Sequence, residues 1–248
     1  EHDELRFLLV RRLTEAGLLR RAAAFADGFS TGVRSRSDFA SMRRQLGEGS
    51  SDGCLGWSHL RGQFEANMAV LRGRFACADE VASAWAVGRR HLELHRTTDG
   101  AYQVFDNRSD GGGWRPSFGD HTPRPSAGEL ASQFNYPTHP FVIEGVGLGA
   151  HLPWLFEATK NTLHGACSRI YQIEPSSLGV AVALHLNDWR APLADERVQL
   201  CCGVEAYEEF ERLVRQDDGN APPQMVVHGQ TWVPHEGEAA ERRVERLS

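Results

Sequence analysis

The residues of this chain best suited to binding a ligand lie in the segment from Phe141 to Gly149. The apolar run FVIE breaks there into the spacing Gly145-x-Gly147-x-Gly149, and a helical pattern follows. Glycine has no Cβ and tolerates positive φ, so the backbone can approach a ligand closely. Unpaired N–H groups at the start of the following helix favour a phosphate or a carboxylate. The segment is therefore our candidate binding site.

Charged and titratable side chains flank these glycines. Glu144 precedes them, and His151 lies in the first helical turn after them, where it would either touch a ligand or face solvent. Glu174 ends the next predicted strand, 25 residues beyond Gly149. In nucleotide-binding α/β folds an acidic residue near this place accepts hydrogen bonds from ribose hydroxyls. The pattern favours a nucleoside-containing ligand over the alternative, a tight structural turn that binds nothing.

Two common nucleotide motifs are not favoured by the spacing. The sequence Gly-x-Gly-x-Gly departs from the dinucleotide pattern Gly-x-Gly-x-x-Gly, so NAD and FAD are disfavoured. The sequence has no Gly-Lys-Ser/Thr, which excludes a P-loop NTPase.

Three side chains near a predicted hairpin have the residue types of metal ligands. His91, Glu93 and His95 would share one face of a strand, a geometry that suits metal ligation. No fourth ligand is identifiable, so we favour an exposed polar face on a hairpin whose Leu92 and Leu94 are buried. We predict no metal.

Three further groups have a structural explanation beside a functional one. The segment Asn187–Trp189 would border a base pocket or form a turn anchored by the Trp, and the turn is favoured. Cys201 and Cys202 end an apolar strand, where cysteines are usually buried small hydrophobes rather than nucleophiles. The acidic segment Tyr207–Glu211 is typical of a solvated helix face.

The patterning around the glycine segment predicts an α/β fold. Predicted strands alternate with predicted helices, the strands at 141–144, 170–173, 198–202 and 225–228 and the helices at 150–161, 178–186 and 206–215. Such alternation with short connections implies a parallel sheet. We therefore predict a Rossmann-like nucleotide-binding domain over 137–230, followed by a charged tail at 231–248.

The first 136 residues predict helices and one β-hairpin. Residues 1–60 are expected to form a helical region, and residues 61–136 a helix, a hairpin and a connector. The individual elements predicted are amphipathic helices over 4–27, a loop over 47–56, helices over 60–87, a hairpin over 91–105 with its turn at Asp99-Gly100, an irregular connector over 106–128 and a short helix over 130–134.

Composition limits the class of protein. The 248 residues carry a formal net charge of -6, which argues against a general nucleic-acid binder. No apolar run approaches the ~20 residues of a membrane span. The five cysteines show no Cys-x-x-Cys spacing, so we expect no zinc site and reduced thiols in the cytoplasm. The chain begins at Glu1 with neither Met nor signal peptide, and we expect a fragment of a longer protein.

The segment Val142–Gly149 together with Glu174 resembles the first two motifs of class I S-adenosylmethionine methyltransferases. In those enzymes an acidic residue usually lies two positions before the first glycine. Ile143 occupies that position here, and Glu144 is displaced by one. The resemblance implies S-adenosylmethionine as an alternative cofactor.

A broader resemblance, over roughly 63–215, is to the bacterial motility accessory factor family of glycosyltransferase-like proteins. The matching segments, in order, are 64–71, 91–105, 142–149, 170–175 and 198–203. The resemblance implies a nucleotide or nucleotide-sugar ligand of CMP or UDP type and sugar transfer to a protein or cell-surface acceptor. The amides around Gly145, Gly147 and Gly149 would hold the phosphate, and Glu174 the ribose. A non-catalytic Rossmann-like assembly domain is the third alternative.

Overall fold

The structure is a computed structural model, and the part of the chain it describes comprises residues 2–15, 22, 25–26, 29, 38–41, 54–96, 102–106, 115–119, 140–159, 169–216 and 225–228. The chain divides into two compact units. We call residues 1–56 and 92–119 the hairpin unit, and residues 57–91 and 120–248 the parallel-sheet unit. The expected helix over 130–134 and the charged tail lie outside the described residues.

The hairpin unit combines a helix with an antiparallel sheet. The helix and strands bounded within its described residues are α1 (His2–Glu15), β1 (Cys54–Leu55), β2 (Leu92–Arg96), β3 (Tyr102–Asp106) and β4 (Arg115–Gly119). The strands are ordered β1-β2-β3-β4, and every neighbouring pair is antiparallel. The predicted hairpin is confirmed as β2 and β3, in which Leu92 pairs with Asp106.

Two short strands differ from the prediction. β1 lies near the end of the segment 47–56, which was expected to be a loop. β4 lies inside the segment 106–128, which was expected to be an irregular connector, so that prediction is wrong at Arg115–Gly119. Pro116 and Gly119 are poor strand formers, which hid β4 from a reading of local propensity. The strand exists through its pairing with β3.

The parallel-sheet unit contains four strands and six α-helices within the described ranges. In chain order they are α2 (Arg61–Arg74), α3 (Ala78–Gly88), β5 (Phe141–Glu144), α4 (His151–Ala158), β6 (Ile170–Glu174), α5 (Ser177–Leu186), α6 (Arg190–Ala194), β7 (Val198–Cys202), α7 (Ala206–Gln216) and β8 (Met225–His228). Single 3-10 turns occupy Trp57–Leu60 and Arg89–His91.

The four strands form one parallel sheet in the order β7-β6-β5-β8. The prediction of an α/β fold with a parallel sheet is thus confirmed. All five residues of β6 are buried, as expected for a strand covered on both faces. The short helix α6 was not predicted, because its five residues include Pro192 and span little more than one turn.

Helix α5 is the central helix of this unit. Every residue from Ser177 to His185 is buried, and a helix that is apolar all round belongs in a core. Helices α2 and α3 pack against it. These two helices, which the sequence groups with the hairpin, therefore belong to the parallel-sheet unit.

Helix α7 packs against β6 and β7. Its Phe210 meets Tyr171 of β6 edge-on, with ring centroids 5.3 Å apart. In the described ranges no helix is both long enough and apolar enough to cross a membrane.

Candidate functional site

The glycine turn connects the end of β5 with the start of α4. Its three glycines have positive φ, with +79° at Gly145, +50° at Gly147 and +89° at Gly149. The Gly149 N–H donates to the Val146 carbonyl at 2.7 Å, which closes the turn. L-residues rarely adopt such φ values, so the local backbone requires this spacing.

Glu174 lies against the glycine turn, and its side chain is completely buried. Oε2 accepts the Val146 N–H at 2.9 Å, and Oε1 accepts the Ser176 N–H at 2.8 Å. The carboxylate therefore ties the turn to the residue that caps α5. The structure brings the predicted acidic partner to the predicted turn, but each oxygen accepts an amide of the chain itself.

The carbonyls of the turn are also held by side chains. Gln172 Nε2 donates to Gly145 O at 3.1 Å, Trp189 Nε1 donates to Gly149 O at 2.8 Å, and Asn187 Nδ2 donates to Leu148 O. Trp189 is fully buried. This confirms the interpretation of Trp189 as a packing anchor, with a bend rather than a turn at Asn187.

Asn67 of α2 completes this polar network from the other side. Its amide Nδ2 donates to Leu184 O at 2.7 Å and to Asn187 O at 2.8 Å, and its Oδ1 accepts the Trp189 N–H at 2.9 Å. Sequence analysis missed both Asn67 and Gln172. The available signal was a lone amide side chain within an otherwise apolar helix face or strand.

Some amides of the turn are used within the fold. The Gly145 N–H donates to Ile173 O at 2.8 Å, in addition to the bonds made by Val146 and Gly149. The start of α4 is different. Its N-cap residue is Ala150, which makes no side-chain capping hydrogen bond. His151 is 8% exposed, so the expectation of a solvent-facing histidine is wrong: the ring lies inside the fold at the helix start.

Glu144 lies at the carboxyl end of β5 and is half-buried. Its Oε1 accepts the hydroxyl of Tyr207 at 2.7 Å, which brings α7 to the same edge of the sheet. In register, Glu144 is beside Ile173 of β6, and Glu174 is beside Cys202 of β7. Three neighbouring strands therefore end at this edge, with the side chains of Glu144 and Glu174 on opposite faces of the sheet.

The acidic segment of α7 is mainly a surface. Glu208 and Glu211 are exposed, and Glu211 pairs with Arg215 at 3.0 Å. Glu209 is half-buried, and burial raises the pKa of its carboxyl. The prediction of a solvated face is confirmed for the two exposed glutamates. Tyr207 is not part of this exposed surface, because it is half-buried and its hydroxyl donates to Glu144.

His91 and His95 do not share the exposed strand face that the sequence predicts. His91 lies in the 3-10 turn Arg89–His91, before the strand begins. His95 is fully buried, with Nε2 3.3 Å from Glu93 Oε2 and its ring edge-on to Phe105. The expectation of an exposed face is wrong at His95 because both faces of β2 are covered, since Leu94 and His95 point to opposite faces and are each completely buried. Leu92 and Leu94 are buried as predicted. Among the described residues no three side chains form a metal-binding group.

Cys201 and Cys202 are buried at the end of β7, which confirms the interpretation of small core side chains. Burial raises the pKa of the Cys201 thiol far above its ordinary value. A third described cysteine, Cys77, is the N-cap residue of α3 and is half-buried.

Comparison with known proteins adds no family to these observations. The chain matches no protein-family model, and no curated protein or solved structure matches it.

Proposed function

We propose that the parallel-sheet unit is a Rossmann-like domain that binds a nucleotide or a CMP- or UDP-type nucleotide sugar beside the glycine turn. The observation that carries the proposal is the strand order. From β5 the chain moves outward to β6 and then β7, and it returns to pair β8 on the opposite side of β5. In open parallel sheets ligands bind at the carboxyl ends of strands where the order reverses in this way.

The glycine turn lies at that point of reversal. It leads directly into α4, whose N-cap residue Ala150 has no polar side chain to cap the helix. A helix N-terminus carries a partial positive charge that attracts an anion, although Pro153 in this first turn contributes no N–H. In the proposal the phosphate of the ligand lies at this helix start, next to Gly147 and His151.

Glu174 acts in the proposal as a positioning residue. Its carboxylate accepts hydrogen bonds from the backbone amides of Val146 and Ser176, so it fixes the turn relative to α5. Sugar transfer, which the resemblance to the motility accessory factor family implies, is part of the same proposal. The acceptor would be a protein or a cell-surface group.

Binding is tested by thermal shift with CMP, UDP, GDP, NADH and S-adenosylhomocysteine. A ligand at ~100 times its Kd stabilises the folded chain by about 2.7 kcal/mol, which moves the melting temperature visibly. We expect a shift with CMP or UDP. A shift with S-adenosylhomocysteine alone would favour a methyltransferase instead. No shift with any ligand would leave the glycine turn with its structural role alone.

A variant pair separates binding from folding. Asn tolerates the left-handed backbone better than other side chains, so Gly147→Asn keeps the turn and places a side chain in the proposed phosphate position. We expect the ligand shift to vanish. The control Gly73→Asn adds the same side chain on the exposed surface of α2 and should bind like the parent chain. Equal ligand shifts in both variants would contradict the proposed location.

A further inference from the structure

The two carboxylates that end β5 and β6 differ in what they offer a ligand. Glu174, at the end of β6, is completely buried, and its two oxygens accept the N–H groups of Val146 and Ser176. A ribose hydroxyl would have to displace one of these bonds and leave a buried N–H without an acceptor, which is costly. Glu174 therefore does not suit the ribose-binding role that the sequence assigns to it.

Glu144 ends β5 and is half-buried, so part of its side chain is accessible. Val142, two residues earlier on the same face of the strand, belongs to the buried cluster against which α7 packs. The Glu144 carboxylate therefore lies on the α7 face of the sheet, at the edge where the strands end. The next residue along the chain is Gly145, the first glycine of the turn.

Glu144 also lies where the strand order reverses. β5 pairs with β6 on one side and with β8 on the other, and Glu144 is beside Ile173 of β6 and His228 of β8 in register. Ligands of open parallel sheets bind outside the carboxyl ends of the strands at such a reversal. This carboxylate is therefore at the place where the proposed nucleotide would lie.

Tyr207 fixes the direction of the Glu144 carboxylate. Its ring packs against the buried cluster under α7, and its hydroxyl donates to Glu144 Oε1 at 2.7 Å. A carboxylate has two oxygens with about four acceptor positions, so it can accept further hydroxyl groups beside this one. Ribose hydroxyls are donors of this kind, and a carboxylate at a strand end binds them in nucleotide-binding α/β folds.

We propose that Glu144 binds the 2′- and 3′-hydroxyls of a ribonucleotide and that Tyr207 is its positioning residue. The inference rests on the proposed function, because it requires a nucleotide beside the glycine turn. It narrows the ligand to ribonucleotides, since a 2′-deoxyribose lacks one of the two donors. It also moves the sugar-binding carboxylate from the end of β6 to the end of β5.

The test compares CMP and UDP with their 2′-deoxy counterparts by isothermal titration calorimetry on the full chain. The parent chain should bind the ribonucleotide at least about tenfold more tightly, the usual effect of one hydrogen bond to a charged group. Glu144→Ala should weaken ribonucleotide binding by at least about tenfold and reduce the preference for ribose to less than about twofold. Glu208→Ala, at an exposed glutamate of α7, is the matched control and should keep both the affinity and the preference.

Two further variants separate the binding role from a role in folding. Tyr207→Phe keeps the ring and the Glu144 carboxylate but loses the hydroxyl, so its preference for ribose should lie between those of the parent chain and Glu144→Ala. Glu174→Gln should lower stability and keep the parent preference. Melting curves show the temperature at which each variant is folded for the titration.

The outcomes separate this inference from the proposed function. A parent chain that binds both sugars equally, or a preference that survives in Glu144→Ala, would overturn the inference and leave the proposed function intact. A full preference in Tyr207→Phe would overturn the role given to Tyr207. A preference that is lost only in Glu174→Gln would return the ribose to Glu174. A parent chain that binds none of the four nucleotides would overturn the proposed function and this inference with it.

Discussion

At the scale of single residues, Glu174 shows how one side chain can organise a turn. Its two carboxylate oxygens accept amides from segments on either side of it, Val146 in the glycine turn and Ser176 before α5. A carboxylate only accepts hydrogen bonds, and both positions need an acceptor. The residue therefore has a stabilising role whether or not a ligand is bound.

Glu174→Gln tests this role. Glutamine keeps one acceptor oxygen and places an NH₂ donor against the other amide, leaving one buried N–H without an acceptor. We expect the free energy of unfolding to fall by about 1 to 3 kcal/mol in urea titrations without ligand. Glu196→Gln, at an exposed glutamate, is the matched control and should change it by less than about 0.5 kcal/mol. Equal stability of the two variants would contradict the role given to Glu174.

His185 is a second residue with a measurable consequence, because it lies in an aromatic cluster. Its ring stacks on Phe64 with centroids 4.1 Å apart and packs against Trp85 at 4.0 Å, with Trp57 edge-on at 5.4 Å. Burial lowers the pKa of His185 from 6.5 to about 4, although the Nδ1–H bond to the Ala181 carbonyl opposes this. The neutral imidazole is the form that fits the core.

The stability of the chain should therefore depend on pH through His185. The unfolded histidine takes up a proton near pH 6.5 and the folded one only near pH 4, so the stabilisation is complete above about 6.5 and decreases as the pH falls towards 4. The total loss is about 3 kcal/mol. Urea unfolding at pH 7 and pH 5 measures it.

Two variants isolate this histidine from other titrating groups. His185→Phe keeps an aromatic ring in the cluster and cannot be protonated, so the pH dependence between 7 and 5 should become weaker than in the parent chain. His59→Gln removes an exposed histidine of the same unit and should leave the dependence unchanged. A pH profile for His185→Phe that overlays the parent profile would show that His185 does not titrate as described.

At the scale of elements, two glycines of the parallel-sheet unit should respond to alanine with opposite signs. Gly149 has φ +89°, and a Cβ there would lie 2.5 Å from the Ala183 Cβ, so Gly149→Ala should destabilise the chain by at least about 2 kcal/mol. Gly73 lies in α2 with no atom within 4 Å of a built Cβ. Gly73→Ala should stabilise it by about 0.5 to 1 kcal/mol. Thermal unfolding measures the change in stability of both variants. Changes of the same sign would contradict the turn geometry.

Local periodicity was sufficient to predict most elements of the parallel-sheet unit. Strands such as Ile170–Glu174 are short apolar runs bounded by turn residues. In helices such as Ala206–Gln216 apolar residues recur at helical spacing on one face and charged residues cover the other. Periodicity could not reveal β4 or the Asn67 network. The Asn67 side chain bonds residues 117 to 122 positions away, and β4 forms through its pairing with β3 despite its poor strand propensity. Such pairings depend on the tertiary fold.

At the scale of the whole molecule, the chain builds two units from interleaved segments. The hairpin unit has a cluster of buried residues around Val10, Phe29 and Phe39, and the parallel-sheet unit has one around Tyr171 and Cys201. The division at residues 56, 91 and 119 was not predicted. The division arises because α2 and α3 pack on α5, which lies about 90 residues further along the chain. No change of composition near residue 91 marks that boundary in the sequence.

Separate cores predict separate responses to a core mutation. Asn67→Ala leaves two carbonyls without a donor and the Trp189 N–H without an acceptor, so we expect a loss of about 3 kcal/mol. Hydrogen exchange should rise in β5 and β6 and stay unchanged in β2, because each core opens by itself. Glu65→Gln, which removes an exposed pair on the same helix, should change stability by less than about 0.5 kcal/mol. An equal rise of exchange in β2 would show instead that both units unfold as one cooperative body.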